Sequence, residues 1–117
     1  MISQPVKAGP AYFMRNFDLH CHSNVSDGLL SPQALVTRAA EKGVQVLALT
    51  DHDDVGGLIV AGQAAKQEGI CFIPGVEISV TWETVTLHIV GLRIDAQNPL
   101  LLKGLEGIQH GRQQRLD

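Results

Sequence analysis

The sequence predicts an α/β fold in which helices alternate with the strands of a parallel sheet. Short apolar runs alternate with segments of helical periodicity, and glycine or proline marks many of the boundaries between them. Alternation of this kind is typical of β-α-β units, whose strands run parallel. The predicted order is strand, helix, strand, helix, strand, strand, helix, which fits either an open sheet or part of a barrel. A chain of 117 residues, 44% of them hydrophobic, suits one globular unit.

Boundary signals place each element along the chain. Ser31 and Pro32 predict a helix start, as N-cap and first-turn proline, and Gly43 predicts the end of that helix. Residues 44–50 are apolar on both faces, as expected of a parallel strand covered by helices. The predicted elements are a strand from Phe17 to about His20, a helix from Pro32 to Gly43, a strand at 44–50, a helix at 58–68, a strand at 70–74, a strand at 84–92 and a helix beginning at Asn98-Pro99.

Two regions are predicted to depart from regular structure. Pro74 and Gly75 predict a break between the third strand and residues 76–78. Prolines and glycine also interrupt residues 1–14, which we predict to be an irregular leader. Residues 15–117 would form the N-terminal part of a domain truncated at its C-terminal end. We expect this because the last helix has no terminating signal and so small a parallel sheet would expose an apolar edge.

Composition excludes several classes of protein. The net charge of −3 argues against an extensive surface for duplex nucleic acid, although bound cations would let an acidic pocket accept a nucleotide. Cys21 and Cys71 are too few for a disulfide scaffold, and we expect both to be small packed residues of a cytoplasmic protein. We expect no membrane partner, because the sequence has neither a signal-peptide core nor an apolar run near the ~20 residues of a membrane span. The sequence does not indicate an oligomeric state.

Residues able to bind metal ions follow the predicted strands. They are His20 and His22 at the end of the first strand, Asp27 in the next loop, His52 after the second strand, Glu77 after the third and His88 in the fourth. The carboxyl ends of parallel strands share one edge of a sheet, so we expect these residues to converge. Histidines at positions i and i+2 of an extended segment point to the same side and can reach one ion. Imidazoles and carboxylates suit Mn²⁺, Fe²⁺, Zn²⁺ or Co²⁺.

Each of these residues also has a purely structural interpretation. Asp27 precedes a glycine, which is typical of a turn, and the polar run 50–54 would suit a helix cap. Glu77 would then be an exposed charge, and His88, between two aliphatic residues, a hydrogen-bonded histidine buried in the core. We favour a metal site because all of these residues fall on one predicted edge. His110 does not, and we interpret it as a surface residue.

These residues resemble the motifs of the PHP (polymerase and histidinol phosphatase) family, in particular those of its stand-alone bacterial phosphoesterases. The matching segments cover residues 17–95 in the family's order: Asp18-Leu19-His20-Cys21-His22-Ser23 with Ser26-Asp27-Gly28, Leu49-Thr50-Asp51-His52-Asp53, Gly75-Val76-Glu77-Ile78-Ser79 and Leu87-His88-Ile89-Val90-Gly91. The resemblance implies a distorted (β/α)7 barrel of the TIM-like type, of which this chain holds the N-terminal part. The family completes its site with a further histidine, a late Asp-x-His pair and basic residues that hold phosphate, and this sequence has no match to them.

The resemblance also implies a trinuclear centre, with Mn²⁺ expected and Fe²⁺, Zn²⁺ or Mg²⁺ as alternatives. Its ligands would be His20 with His22 for one ion, Glu77 with His88 for a second, and Asp27 with His52 for a third. Glu77 would bridge the first two ions, and Glu77, Asp27 and His52 would be the catalytic residues. Asp18 and Asp51 would orient neighbouring metal-bound histidines.

The implied function is hydrolysis of phosphate esters of nucleotides or short RNA by a metal-activated hydroxide. Such substrates include 3′,5′-nucleotide bisphosphates and 5′-phosphorylated RNA ends. A histidinol-phosphate-type phosphatase is one alternative, and a metal-stabilised interaction domain without turnover is another. The complete series of ligands from His20 to His88 favours an enzyme, although the chain by itself would lack the remaining ligands and be inactive alone.

Overall fold

The strands and helices occur in the predicted order. The structure, a computed structural model, describes residues 16–116; the predicted leader, residues 1–14, lies outside this range. The elements are β1 (Phe17–Cys21), α1 (Pro32–Glu41), β2 (Val46–Leu49), α2 (Leu58–Glu68), β3 (Cys71–Trp82), β4 (Val85–Leu92) and α3 (Pro99–Leu116). The strands form a single sheet in the order β1-β2-β3-β4.

The helices begin and end at the predicted signals. The Ser31 hydroxyl accepts a hydrogen bond from the amide of Ala34 at 3.1 Å, and the Asn98 side chain accepts bonds from the first turn of α3 in the same way. Gly43 and Gly69 follow α1 and α2 with φ angles of 81° and 77°, a left-handed conformation that a Cβ would strain. Within residues 16–116, none of the helices has both the length and the apolar character needed to cross a bilayer.

The parallel part of the sheet consists of β1, β2 and β3, covered by α1 and α2. Residues Val46–Leu49 pair one by one with residues 71–74, and the last three residues of β2 are buried. The core packs the two helices onto this strand through Val36, Ala39, Leu47, Leu49, Leu58, Ala61, Ala64, Ala65 and Ile70. Because four of these residues are alanines, the helices can approach the sheet and each other closely.

The third strand does not break at Pro74, so this prediction was wrong. Pro74 ends the parallel ladder with β2, and Gly75 begins the antiparallel ladder with β4. The carbonyl of Pro74 faces the β4 side, where it accepts a hydrogen bond from the amide of Ile94, so its missing N–H removes no bond from the parallel ladder. Gly75 is required by close packing, since a Cβ there would lie 2.8 Å from Thr50 Cγ2.

β4 runs antiparallel to β3, which departs from the predicted all-parallel sheet. Only Glu83 and Thr84 separate these strands, and so short a connection joins antiparallel neighbours, whereas parallel neighbours need a crossover. Glu83 turns the chain with a φ of 57°. Because side chains alternate along each strand, the hairpin has one face that carries Glu77 and His88 and one apolar face. The apolar hairpin face comprises Ile78, Val80, Trp82, Val85, Leu87 and Ile89.

We expect residues 1–117, expressed alone, to self-associate through the apolar hairpin face, because Trp82 is 68% exposed and Ile89 is 52% exposed. The double variant Leu87→Lys/Ile89→Lys should shift the molecule toward monomer in sedimentation velocity experiments. The matched control is Thr84→Lys/Thr86→Lys, which adds the same charge to the hairpin but leaves this face intact. A metal-free wild-type monomer with a sharp cooperative unfolding transition would contradict the prediction.

Candidate metal centre

Two histidines at the end of β1 face one carboxylate oxygen. The pairing of β1 with β2 changes register between Asp18 and Cys21, so His20 lies at an irregularity within this strand. The Nε2 atoms of His20 and His22 are 3.2 Å apart. These atoms lie 2.5 Å and 3.2 Å, respectively, from Glu77 Oε1. The two rings therefore point to the same side of the chain, as their spacing in the sequence predicted.

The backbone of Glu77 is held by the segment that follows β2. Its amide donates to the carbonyl of Asp51 at 3.0 Å, and its carbonyl accepts from the amide of Asp53 at 2.9 Å. His52 therefore lies directly opposite Glu77, as if the parallel ladder continued. His52 Nδ1 is 3.7 Å from Glu77 Oε2, and His52 Nε2 is 3.2 Å from Asp27 Oδ2. Glu77 lies within β3 rather than after the third strand, because that strand is longer than predicted.

His88 reaches the same carboxylate from the antiparallel strand. It is paired with Ser79, and its Nδ1 atom lies 3.3 Å from Glu77 Oε2 and 3.3 Å from Ser79 Oγ. The side chain is 49% exposed, which argues against the alternative of a histidine buried in the core. The physical reason is that β4, within the part of the chain that the structure describes, is paired only with β3.

Among residues 16–116, the two predicted orienting carboxylates accept hydrogen bonds from backbone amides and hydroxyl groups. Asp51 is buried and accepts hydrogen bonds from the amide and hydroxyl of Ser23, at 2.6 Å and 2.7 Å, and from the hydroxyl of Ser26 at 2.7 Å. Asp18 accepts a bond from the backbone amide of His20 at 3.2 Å. Asp51 therefore fixes the loop after β1, and Asp18 fixes the backbone of a candidate ligand.

The predicted ligands come together in three overlapping groups. Within each group, one ligand atom from every residue lies within 4.8 Å of the others. The groups are His20, His22 and Glu77; His52, Glu77 and His88; and His22, Asp27 and His52. The rings of His22 and His52, which are each in two groups, stack with centroids 4.4 Å apart.

This set of donors fits divalent metal ions. Imidazole nitrogens face one another and carboxylate oxygens across short distances, an arrangement that a shared cation stabilises. His22 Nδ1 is buried and makes no hydrogen bond with any residue that the structure describes. A buried nitrogen of this kind is available as a ligand atom.

The charge of Glu77 suits a residue shared between cations. Burial acts to raise the pKa of Glu77, but the hydrogen bond from His20 and the charges of His52, His20 and His22 outweigh this effect and hold the pKa below its ordinary value. The side chain is therefore an ionised carboxylate near neutral pH. Its two oxygens face different histidines, Oε1 toward His20 and His22, and Oε2 toward His52 and His88.

Cys21 is not in the form that would compete with its neighbouring histidines for metal. Its sulfur donates a hydrogen bond to the carbonyl of Ala48 at 3.2 Å. Burial, together with the charges of Asp18 and Asp51, raises the pKa of the Cys21 thiol to about 12, whereas a thiolate is needed to bind metal. Cys71 is exposed at the start of β3, so the prediction that it is packed was wrong: the first residue of this strand is not covered by the helices.

An open cleft of about 500 Å³ lies against the candidate metal centre. It is lined by Val25, Ser26, Asp27, His52, Asp54, Ser79, Thr86, His88 and Gln109. Ser79, Thr86 and Gln109 were not predicted as site residues, because single neutral polar side chains carry no distinguishing pattern. His110, the neighbour of Gln109 on α3, is exposed as predicted.

The fold and the cluster define an α/β domain of the barrel class with a site capable of binding metal ions. The chain belongs to the PHP domain family, whose model matches residues 18–110. It is 52% identical over 102 residues to a 3′,5′-nucleoside bisphosphate phosphatase of Chromobacterium violaceum, covering 87% of this chain and 36% of that protein. It is 50% identical over 101 residues to a 5′-3′ exoribonuclease of Haemophilus influenzae, covering 86% of this chain and 37% of that protein.

A solved structure supports the same family. It is the crystal structure of a Bifidobacterium adolescentis protein described as a metal-dependent phosphoesterase. This chain superimposes on it with a TM-score of 0.82 at 29% identity, covering 87% of this chain and 36% of that one. These similarities confirm the predicted family and the predicted part of a TIM-like barrel. The chain spans about a third of the length of these relatives, at 36%, 37% and 36%.

Proposed function

We propose that this protein is a metal-dependent phosphoesterase that hydrolyses phosphate esters of nucleotides or short RNA. The observation that carries the proposal is the convergence of four histidines on the single buried carboxylate of Glu77, beside an open cleft. The names of the relatives, a nucleoside bisphosphate phosphatase and a 5′-3′ exoribonuclease, support this substrate class over histidinol phosphate.

The proposal assigns three ions to the three overlapping groups, with Mn²⁺ as the preferred metal. His20 and His22 would hold one ion, Glu77 and His88 a second, and Asp27 and His52 a third, with Glu77 as the bridge between the first two. Bound divalent ions supply positive charge for the phosphoryl oxygens and an activated water for attack on phosphorus. Residues 15–117 would provide part of the site, and the rest of the domain would provide the remaining ligands. The relatives are longer than this chain, which covers 36% of the phosphatase. The cytoplasm remains the proposed compartment, on the cysteine content alone.

The chain's own residues would bind and orient the substrate. Asp27, whose side chain is 66% exposed, lies at the cleft beside His52, so a cation held by these two residues would face the phosphate end of a ligand. Ser79, Thr86 and Gln109 offer neutral hydrogen-bonding groups along the cleft for phosphate or ribose oxygens. The carboxylates of the centre would repel a phosphate, so substrate binding should require bound cations.

We expect the full-length protein to release phosphate from a 3′,5′-nucleoside bisphosphate, to lose this activity in a strong chelator and to recover it with Mn²⁺, because histidine and carboxylate ligands suit this ion. Phosphate release is the measurement, and histidinol phosphate is the matched control substrate. Full activity in excess chelator, after time for metal exchange, would contradict the proposal. Mn²⁺ binding without hydrolysis of any phosphate ester would instead indicate a metal-stabilised interaction domain.

A further inference from the structure

Asp53 is a fully buried carboxylate directly after His52. It is 0% exposed and has a φ of 52°, in the left-handed region that residues other than glycine rarely adopt. It belongs to none of the three ligand groups found among the described residues. A buried acidic side chain on a strained backbone is unfavourable unless its surroundings compensate. The contacts of Asp53 therefore show what the position is used for.

Those contacts join three elements of the fold. The amide of Asp53 donates to the carbonyl of Glu77 at 2.9 Å, and its Oδ1 atom accepts a hydrogen bond from the amide of Ser79 at 2.7 Å. Its carbonyl accepts a bond from the side chain of Gln109 on α3. Because β2 ends at Leu49, no residue of β2 pairs with Ser79. The Asp53 carboxylate instead accepts the hydrogen bond from the Ser79 amide.

Ser79 connects Asp53 to a candidate ligand on the other side of the hairpin. Ser79 is paired with His88, and its hydroxyl lies 3.3 Å from His88 Nδ1. Asp53 thus ties the segment that carries His52 to the position in β3 that faces His88. The rings of His52 and His88 have centroids 5.7 Å apart, and both belong to the group that includes Glu77.

We propose that Asp53 is a positioning residue that sets the separation of His52 and His88 and thereby the cation affinity of the group formed with Glu77. The left-handed backbone at Asp53 turns the chain immediately after His52, which lets the carboxylate reach back to β3. The group of His20, His22 and Glu77 takes its histidines from β1 and the residue that follows it, rather than from the two segments that the bond between Asp53 and Ser79 joins, so we expect its affinity to be unchanged. The inference rests on the metal site of the proposed function, but not on its substrate.

Four variants of the full-length protein test this role. Asp53→Gly removes the carboxylate while tolerating the left-handed backbone. Asp53→Asn keeps an acceptor oxygen for the Ser79 amide, and asparagine also tolerates this conformation. Asp53→Glu keeps the charge but displaces it by one methylene. Asp95→Gly is the control, because Asp95 also accepts a bond from a nearby amide, that of Gln97 at 3.0 Å, but lies in the exposed loop after β4.

The measurements are Mn²⁺ binding isotherms of the metal-free protein and the free energy of unfolding in chelator. We expect Asp53→Gly and Asp53→Glu to weaken one class of Mn²⁺ site by about 10–100-fold, the usual effect of losing a group that orients a ligand. The other Mn²⁺ sites of these two variants should keep wild-type affinity. All Mn²⁺ sites of Asp53→Asn and Asp95→Gly should keep it as well. A loss of Mn²⁺ affinity in Asp53→Glu, which keeps the charge, would show that the position of the carboxylate matters. This variant also provides the test if Asp53→Gly fails to fold.

Three outcomes would overturn the inference. The first is wild-type affinity at every site in Asp53→Gly or Asp53→Glu, and the second is an equal weakening of all sites in step with lower stability, which would indicate a general structural role. The third is a loss in Asp53→Asn as large as in Asp53→Gly, which would assign the effect to charge. A protein that shows the expected binding differences but hydrolyses no phosphate ester would contradict the proposed function while leaving the role of Asp53 intact.

Discussion

Replacing Glu77 by glutamine should remove more than one equivalent of bound metal per chain and lower turnover at least about 100-fold, beyond the usual effect of residues that only orient ligands. Each oxygen of Glu77 faces a different pair of histidines, so a single side chain serves two ligand groups. A neutral amide has nearly the same shape but cannot balance two dications. Elemental analysis of the full-length protein would measure the stoichiometry, with Glu68→Gln, at an exposed position of α2, as the control.

Acid titration of the metal-free protein provides a second measurement on the same variant. Because the pKa of Glu77 is held below its ordinary value, the ionised carboxylate stabilises the fold above the unfolded-state pKa. This contribution is lost as the pH falls through the folded-state pKa. The advantage of wild type over Glu77→Gln in unfolding free energy should therefore disappear in acid. In the elemental analysis, an unchanged metal stoichiometry of Glu77→Gln would show that Glu77 is not a bridge.

His88→Gln should lower turnover of the full-length protein by orders of magnitude while changing the metal-free stability little. The side chain is 49% exposed and its nearest neutral partner is Ser79 Oγ, so a glutamine retains size and a hydrogen-bonding group. A histidine with only a structural role would give the opposite result. Its replacement would cost about 1–3 kcal/mol of stability and leave turnover per folded molecule near normal.

The control for His88→Gln is His110→Gln, which makes the same chemical change at an exposed position on α3. Turnover at limiting Mn²⁺ is the most sensitive measurement, because weakened binding of one ion has its largest effect there. If His88→Gln keeps wild-type turnover under these conditions, the assignment of His88 as a ligand is wrong.

The helices could be predicted from the sequence because their signals are local. Ser31 caps α1 through an amide three residues away, and Gly43 and Gly69 end helices by their own conformation. The behaviour of Pro74 could not be predicted in this way, because it depends on which neighbouring strand its nitrogen faces. The direction of β4 was missed because no glycine or asparagine marks the turn at Glu83.

The candidate site was predictable to the extent that residue type determines chemistry. Histidines and carboxylates at strand ends indicated a metal site, and the structure brings all of the predicted ligands together. The supporting contacts were not predictable. The bond from the Ser79 amide to Asp53 joins residues 26 positions apart, and it depends on a left-handed backbone that no local pattern indicated.

The pairing of β3 on both sides has a consequence for amide hydrogen exchange. The Glu77 amide is bonded to the segment after β2, while neighbouring residues of β3 are paired with β4. Deuterium can replace these protons only when one ladder or the other opens, so exchange at Val76 and Glu77 should be among the slowest in the chain and approach the rate set by global unfolding. β1 and β4 each have one strand neighbour within residues 16–116 and should exchange faster. Deuterium uptake can therefore follow the integrity of this region without any metal or substrate.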